Sequence, residues 1–310
     1  MAARLTLGID LGGTTTLLAV VDAHNAIVWD RRLPTLPEAG FADVGRRIEE
    51  AAAEGRARHP YEAVGVAVAA HVDARTGVLV SSPNLAFREV ELRPYFERAW
   101  ELPLAVENDV NAAAYGEYVV ASAPREPLLA VYVGTGVGGG LIVDGHVFRG
   151  ADGFAAEIGH VPVVPEGGEP CGCGRRGCLE AYAGGAAIVR RAAARLGPKG
   201  PSLASVDDVA RAAAAGEAAC RVVLEEAAAA LGLGLAAAVN LYNPGTLVLG
   251  GGVARGWPDL VPRALERMRA AALPAALHEL VTAPAQLGPH AGAVGAAALA
   301  RELLAAPRLS

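Results

Sequence analysis

Clustered positive charge, aromatic side chains and long apolar runs are all scarce in this sequence. The 310 residues carry 27 Lys and Arg against 33 Asp and Glu, a formal net charge of −6, and Lys199 is the only lysine. Binding to nucleic acid needs a basic face, so we expect no nucleic-acid partner. Aromatic residues make up 5% of the chain, whereas the apolar fraction of 53% and the charged fraction of 19% are typical of a packed globular enzyme.

The longest apolar run, Ala227–Val239, is shorter than the roughly 20 residues that span a bilayer. It follows Arg221, Glu225 and Glu226, so it predicts a buried helix. The N-terminus lacks the apolar core of a signal peptide. We therefore expect a cytoplasmic protein that does not bind membranes and whose four cysteines are reduced.

Two segments, Leu5–Asp22 and Leu128–Asp144, share one pattern: an apolar strand, a glycine turn, a second apolar strand and an Asp at the exit. This repetition predicts two related halves that each begin with a phosphate-binding hairpin, with a coincidence of two hairpins as the alternative. The rest of the chain alternates strands and helices, which predicts an α/β fold with covered sheets. The predicted helices are 41–58, 89–101, 110–120, 185–196, 206–215 and 217–241, and the predicted strands are 25–31, 64–69, 104–106 and 247–249.

The turn at Asp10–Thr14 is the first candidate site. Gly12 and Gly13 let the backbone approach an anion closely, so that N–H groups can face phosphate oxygens. Asp10 could hold Mg²⁺ through water, and Thr14 could donate a hydrogen bond. An ordinary hairpin turn is the alternative.

Residues Gly134–Gly139 match the pattern Gly-x-Gly-x-x-Gly. A dinucleotide site requires a helix directly after this turn, but the apolar run Gly140–Val143 predicts a strand. We therefore reject a Rossmann site and expect the two glycine hairpins to clasp a polyphosphate between two domains.

Asp109 lies where a predicted strand leads into a predicted helix, between Asn108 and Asn111. A carboxylate there often serves as an N-cap. Phosphoryl transfer, however, needs a carboxylate that accepts a proton from the attacking hydroxyl, and both interpretations stay open on the residues alone.

One imidazole and three thiols lie close together in the chain: His160, Cys171, Cys173 and Cys178. Reduced cysteines at this density in a glycine-rich loop predict a closed structural zinc site of the Cys₃His type. Incidental buried cysteines are the alternative, and Cys220 is expected to be an ordinary core residue.

Two carboxylates flank this loop, Glu157 before His160 and Glu180 after Cys178. If a metal fixes the loop, both are held near one point, where paired acceptors suit sugar hydroxyls. Solvated surface residues are the alternative.

In combination these motifs resemble the ROK family (repressor, open reading frame, kinase), from about residue 5 to 300. The resemblance rests on seven segments: Asp10–Thr14, Pro83–Leu85, Glu107–Asn111, Gly134–Gly140, Glu157–His160, Cys171–Glu180, and Asn243–Pro244 leading to Gly250–Gly252.

The resemblance implies a two-domain actin-like ATPase fold of the sugar kinase, Hsp70 and actin type, with an interdomain cleft. The smaller N-terminal α/β domain would comprise residues 1–113 plus about 297–310. The larger C-terminal α/β domain would comprise 114–296 and carry the zinc loop 160–178.

The resemblance also implies a role for each matching position. Asp109 would be the catalytic base. The sugar would contact Asn84, Asn108, Asp109, Glu157, His160 and Glu180. The nucleotide and Mg²⁺ would contact Asp10, Gly12, Gly13, Thr14, Thr135, Gly136, Gly250, Gly251 and Gly252. Structural Zn²⁺ would bind His160, Cys171, Cys173 and Cys178.

The expected activity is therefore that of an ATP-dependent hexose kinase of the glucokinase type, acting on glucose at O6. The alternatives are a kinase for N-acetylglucosamine, N-acetylmannosamine, mannose or fructose, or a non-catalytic sugar-sensing regulator. The family likeness also implies a homodimer or homotetramer. The sequence departs from the family at Ala69–His71, where Pro-Gly is usual, which leaves the identity of the hexose open.

Overall fold

The computed structural model describes residues 4–73, 76–82, 85, 87–198 and 200–305, and within them the chain forms thirteen strands and eleven α-helices. The strands are β1 (Thr6–Leu11), β2 (Thr15–Val21), β3 (Ile27–Pro34), β4 (Ala63–Val68), β5 (His71–Asp73), β6 (Val78–Ser81), β7 (Val90–Glu91), β8 (Leu104–Asn108), β9 (Leu128–Val133), β10 (Val137–Val143), β11 (His146–Val147), β12 (Thr246–Gly250) and β13 (Val281–Pro284). The helices are α1 (Phe41–Arg58), α2 (Leu92–Trp100), α3 (Asp109–Val120), α4 (Glu180–Ala183), α5 (Gly185–Leu196), α6 (Val206–Ala214), α7 (Ala218–Tyr242), α8 (Gly252–Gly256), α9 (Leu260–Ala271), α10 (Pro274–Leu277) and α11 (Ala291–Ala305).

Elements with a clear periodicity lie where the sequence predicts them. Helices α1 and α5 have the predicted bounds, and the strand predicted after the second glycine turn is β10. The long apolar run lies in α7, which is long and apolar enough to cross a membrane by length and composition alone. Of its most apolar window, 67% is buried inside the protein. The prediction of a buried helix is therefore confirmed.

Two five-stranded sheets have the same order of strands. The first is β3-β2-β1-β4-β8 and the second is β11-β10-β9-β12-β13. In the first sheet β4 pairs in parallel with both β1 and β8, and in the second β12 pairs in parallel with both β9 and β13. Each sheet thus begins with a glycine hairpin and continues with two parallel strands. This shared topology confirms the predicted internal repeat.

Several short strands were missed by the sequence analysis. Strands β5, β6 and β7 form a separate three-stranded sheet, and β13 forms an edge of the second sheet. These strands have two to four residues, which is too short for an alternating pattern to stand out.

The chain divides into two compact units at positions that differ from the expected boundaries. Unit 1 comprises 1–123, 140–155 and 286–310, and unit 2 comprises 124–139 and 156–285. A boundary after residue 113 would cut the continuous helix α3, and one before residue 297 would cut α11. The segment 140–155 belongs to unit 1 although it lies within the expected second domain.

In unit 1, α11 packs directly on the first sheet, and its first ten residues, Ala291–Ala300, are buried. A Cβ at Gly8 in β1 would overlap the carbonyl oxygen of Ala293, and one at Gly65 in β4 would overlap that of Ala296. Gly8 and Gly65 are paired across the two strands. The helix can therefore approach the sheet so closely because both strands carry glycine at this point. The opposite face of the sheet packs against α1 and α2 in an apolar core.

In unit 2 the buried helix α7 packs against α5, α6 and α9. Glycine in α7 also allows close packing: a Cβ at Gly234 would lie 2.5 Å from the side chain of Leu179, the residue directly before α4. This contact fixes the start of the segment that carries Glu180.

We predict that Gly65→Ala strongly destabilises the protein. A methyl group cannot share space with a backbone oxygen of α11, so the helix must shift, at an expected cost of about 3 kcal/mol or more. Thermal denaturation measures this loss. Gly45→Ala is the matched control, because its Cβ meets only the end of the Tyr95 side chain, 2.6 Å from the hydroxyl oxygen. Equal melting temperatures for the two variants would contradict the account of how α11 packs.

Candidate active site

In unit 1, the candidate residues collect at the carboxyl ends of parallel strands. Strands β1, β4 and β8 run in the same direction, so Asp10 at the end of β1 and Asn108 at the end of β8 lie at one edge of the sheet. The carboxyl edge of such a sheet is where α/β proteins bind ligands. The sheet topology therefore brings the first glycine hairpin and the predicted base to the same edge.

The first hairpin turns at Gly12–Thr14, between β1 and β2. The Gly12 N–H donates to the carbonyl of Thr15 at 3.1 Å. Gly12 and Gly13 are half-buried, and Thr14 is exposed. The turn therefore combines two residues without side chains with one exposed hydroxyl group.

Thr35 braces this hairpin, and the sequence analysis missed it. Its hydroxyl donates to the Gly12 carbonyl at 2.7 Å and forms a 2.9 Å hydrogen bond with the Thr16 hydroxyl. Its N–H donates to the Thr14 carbonyl at 2.9 Å. Thr35 is only 1% exposed, so the brace is shielded from water. Nothing in the local sequence marks Thr35, because its partners lie about 20 residues away and meet it only in the folded sheet.

Asn108, rather than Asp109, caps helix α3. Its Oδ1 accepts from the N–H groups of Val110 at 2.9 Å and Asn111 at 3.1 Å, as an N-cap residue does. Its Nδ2 donates to Asp109 Oδ1 at 2.9 Å and to the Ala70 carbonyl at 3.3 Å. The interpretation of Asp109 as an N-cap is therefore wrong. Asp109 is the first residue of α3, and its carboxylate is oriented by the residue that caps the helix.

Asp10 experiences both burial and a like charge. It lies beneath α11, where a Cβ at Gly292 would be 2.6 Å from Asp10 Oδ2. Burial, and secondarily the negative charge of Asp109, raise the pKa of Asp10 from 3.8 to about 7. A cation bound at this edge would favour the ionised form of Asp10, so the pair is suited to a divalent ion.

In unit 2, the second hairpin is fixed by two helices. The Gly134 N–H donates to the Gly136 carbonyl at 2.9 Å. The first N–H groups of α5, from Gly185 and Ala186, donate to the carbonyls of Gly134 at 2.9 Å and Thr135 at 3.1 Å. These hydrogen bonds satisfy N–H groups of the first turn of α5, which have no partner within the helix. They also hold the carbonyl groups of the hairpin turn in place.

Glu180, the first residue of α4, links the second hairpin to the cysteine loop. Its Oε2 accepts from the Val137 N–H at 3.0 Å, and a Cβ at Gly136 would overlap this oxygen. Its Oε1 lies 3.9 Å from Cys171 Sγ. Position 136 therefore requires glycine because the Glu180 carboxylate lies so close to it, whether or not a phosphate also binds there.

The turn after β12 lies against the same hairpin. Gly251 has φ 104°, a value that favours glycine, and a Cβ there would overlap the Val133 carbonyl at the end of β9. Gly250 ends β12 and Gly252 begins α8. Because β9 and β12 are parallel, the turn at 250–252 and the hairpin at Thr135–Gly136 share one edge of the second sheet.

His160, Cys171, Cys173 and Cys178 converge as the sequence predicts. Their four ligand atoms lie within 4.8 Å of one another, with 3.7 Å between Cys171 Sγ and His160 Nδ1 and 3.7 Å between Cys173 Sγ and Cys178 Sγ. Thiolates at 2.3 Å from a tetrahedral zinc ion are about 3.8 Å apart. The set therefore fits zinc in both chemistry and spacing.

The thiol groups are under opposing influences. Burial raises the pKa of the Cys178 thiol to about 12 and also raises the pKa of Cys171, whereas a hydrogen bond from the backbone of Arg175 lowers the pKa of Cys173. Cys220 is fully buried in α7, outside this cluster, as predicted for a core residue.

Glu157 and Asn84 are the remaining predicted sugar contacts. Glu157 is exposed and directly precedes the 3₁₀ turn Ile158–His160. Asn84 lies outside the described residues. Their roles stay predictions.

We predict that Asp10 makes stability fall as pH rises. Because the pKa of Asp10 is higher in the folded protein, the folded state holds a proton that the unfolded chain releases between about pH 4 and pH 7. The stability from this proton is full below about pH 4 and is lost by about pH 7. Urea unfolding of Asp10→Asn should therefore give a gain over the wild type at pH 8, of up to about 4 kcal/mol, that vanishes near pH 4.

Asp43→Asn is the control of opposite sign. Hydrogen bonds from Arg46 and Arg47 lower the pKa of the half-buried Asp43, so this variant should lose stability at pH 8. A gain for Asp10→Asn that does not change with pH would contradict the raised pKa.

Comparison with known proteins agrees with the geometry. The sequence model of the ROK family matches residues 6–303. The glucokinase of Halalkalibacterium halodurans is 32% identical over 318 residues, covering 97% of this chain and 96% of the relative. The structure of a ROK family glucokinase from Streptomyces griseus in complex with glucose and AMPPNP is 34% identical, with a TM-score of 0.81, and covers 96% of this chain and 99% of that chain. The structure of the ROK hexokinase from Thermus thermophilus is 34% identical, with a TM-score of 0.86, and covers 97% of this chain and 99% of that chain.

The expected actin-like ATPase fold is confirmed by this likeness, and the chain belongs to the ROK family.

Proposed function

We propose that this protein is an ATP-dependent glucokinase that transfers the γ-phosphoryl group of ATP to O6 of glucose. The observation that carries the proposal is the placement of Asp109, the first residue of α3, at the same sheet edge as the first glycine hairpin. The near full-length similarity to glucokinases supports the choice of reaction and of sugar.

Asp109 acts as the general base. Its carboxylate accepts the proton of the sugar O6 hydroxyl, O6 forms a bond to the γ-phosphorus, and the bond from that phosphorus to the bridging oxygen breaks to release ADP. Asn108 holds the carboxylate through its 2.9 Å hydrogen bond to Oδ1. Positioning of this kind supplies much of the rate of phosphoryl transfer.

The two hairpins bind the nucleotide. In this proposal the backbone at Gly12 and Gly13, the hydroxyl of Thr14, and Thr135–Gly136 face the phosphates, while the turn at 250–252 lies near the adenosine. Mg²⁺ would be held through Asp10, where it supplies positive charge to the phosphates. The raised pKa of Asp10 is consistent with a carboxyl group that ionises fully only when a cation is bound.

The remaining candidate residues bind the hydroxyl groups of the sugar. The proposed sugar contacts are Asn84, Asn108, Glu157, His160 and Glu180. The amide hydrogens of Asn108 are directed at Asp109 and Ala70, so its main role is to orient the base. Glu180 keeps one carboxylate oxygen on the Val137 N–H, which leaves Oε1 as its acceptor towards the sugar.

His160, Cys171, Cys173 and Cys178 would hold a structural zinc ion. These side chains offer one nitrogen and three sulfurs, a full set of protein ligands, so a bound ion would stabilise the loop and take no part in the chemistry. Since the Nδ1 atom of His160 faces the thiols, Nε2 is the nitrogen directed to the sugar. We further propose that the protein acts in the cytoplasm, where these thiols stay reduced, and that it forms a homodimer or homotetramer.

We predict that Asp109→Asn lowers kcat at least about 100-fold, the usual contribution of a general base, while glucose still binds. A coupled ADP-release assay with glucose, mannose, fructose and the N-acetylhexosamines gives both the effect and the preferred sugar. Asp259→Asn is the matched control, because its side chain is 69% exposed at the surface. Retention of more than a few per cent of kcat in Asp109→Asn would refute the base, and a preference for another hexose would refute glucose.

We also predict one zinc ion per chain by elemental analysis of the purified protein. Cys178→Ala should lose most of the zinc and melt at a lower temperature, because three ligands bind the ion less tightly and the loop loses its anchor. Cys220→Ala, which changes a buried cysteine outside the cluster, should keep the zinc. A zinc-free wild-type protein with unchanged melting temperature and activity would rule out this role.

A further inference from the structure

A buried carboxylate that the proposed mechanism does not use lies directly beside the base. Glu107 precedes the capping residue Asn108 near the end of β8 and is 5% exposed. A buried charge is costly unless it is paired and hydrogen-bonded. We therefore asked which contacts compensate the Glu107 carboxylate and what they position.

Glu107 binds donors from both sides of the strand-to-helix junction. Its Oε1 accepts from the Asn108 N–H at 3.0 Å and from Asn111 Nδ2 at 3.1 Å. Its Oε2 accepts from Arg149 Nε at 2.7 Å and Nη2 at 2.6 Å. The carboxylate therefore joins the end of β8, the first turn of α3 and an arginine in a single network, in which two guanidinium N–H groups donate charge-assisted hydrogen bonds to one oxygen.

This network acts on Asp109 through Asn108. Asn108 carries three constraints: its N–H is bound by Glu107, its Oδ1 caps α3, and its Nδ2 holds Asp109. A change in the position of Glu107 would therefore reach the Asp109 carboxylate through two successive hydrogen bonds.

Arg149 is itself held in place by a closed loop. The loop 149–155 is closed by a 3.1 Å hydrogen bond from the Ala155 N–H to the Arg149 carbonyl. Near its far end, the ring of Phe154 contacts that of His71 at a tilt of 33° and with 3.9 Å between centroids, and His71 Nε2 lies 3.3 Å from the Asp152 carbonyl oxygen. The guanidinium is thus presented to Glu107 from a closed loop that also contacts His71 of β5.

We propose that Glu107 and Arg149 are positioning residues for Asp109. Arg149 compensates the buried charge of Glu107, and Glu107 in turn fixes the junction that presents the base. The inference rests on the proposed function, because it concerns the orientation of the proposed base.

The test compares Arg149→Met, Arg149→Lys and Glu107→Gln with the wild type. Arg149→Met removes the charge and both hydrogen bonds, Arg149→Lys keeps the charge, and Glu107→Gln keeps the size of the side chain. Arg98→Met, which changes an exposed arginine of the same unit, is the matched control. For each protein kcat and the KM for ATP and for glucose are measured, together with the stoichiometry of glucose binding by calorimetry.

We expect Arg149→Met and Glu107→Gln to lower kcat roughly 10- to 100-fold, as a small misplacement of a catalytic group does, with both KM values changed less than about twofold. One glucose should still bind per chain, which separates a misplaced base from a fraction of unfolded protein. Arg149→Lys should recover a substantial part of the lost kcat, and Arg98→Met should behave as the wild type.

The inference is overturned if both Arg149→Met and Glu107→Gln keep kcat within about twofold of the wild type, or if kcat falls only in proportion to a loss of glucose-binding sites. If Arg149→Met does not fold, Glu107→Gln and Arg149→Lys decide by the same comparison. A wild-type protein and Arg98→Met variant that release no ADP with any hexose would instead refute the proposed function itself.

Discussion

The close packing of α11 on glycine is the constraint on which unit 1 depends. Gly8 and Gly65 allow the helix backbone to lie directly on β1 and β4. At the same depth, a Cβ at Gly295 of α11 would overlap the Ala112 carbonyl of α3, so the helix that begins with the proposed base is also set by this contact. Van der Waals contact between backbones leaves little freedom to shift. The positions of the sheet edge and of α3 follow from it.

The electrostatics of the candidate site are a consequence of this packing. Asp10 is covered by Gly292 of the same helix, and the resulting loss of solvation, with Asp109 nearby, raises its pKa to about 7. Glu107 is 5% exposed, but its charge is compensated by Arg149. One carboxylate is thus left in need of a cation, while another is neutralised by the protein. That contrast agrees with the proposal that this edge binds a metal–phosphate complex and holds the proposed base in a constant orientation.

The second sheet repeats the plan of the first with a different support. It has the same strand order and the same type of hairpin, but the second hairpin is held by α5 and Glu180, whereas the first is held by Thr35. Glu180 also lies 3.9 Å from Cys171. A rigid metal loop would therefore determine where this carboxylate sits, and through it the backbone at Val137. The two hairpins therefore share a topology but are held by different contacts.

The sequence by itself determined the elements whose cause is local. Periodicity placed α1 and α5, the strand after the second glycine turn excluded a Rossmann site, and the spacing of three cysteines predicted a cluster that the fold assembles. Only the tertiary structure decided that Thr35 braces the first hairpin, that Asn108 caps α3 in place of Asp109, and that Arg149 pairs with Glu107. The contacts of Thr35 and Arg149 join residues that are far apart in the chain. The cap of α3 depends on which of two adjacent polar side chains faces the first N–H groups of the helix. A local sequence pattern indicates only whether a segment forms a helix or a strand. The tertiary contacts depend on which strands become neighbours and on how closely a helix can approach them.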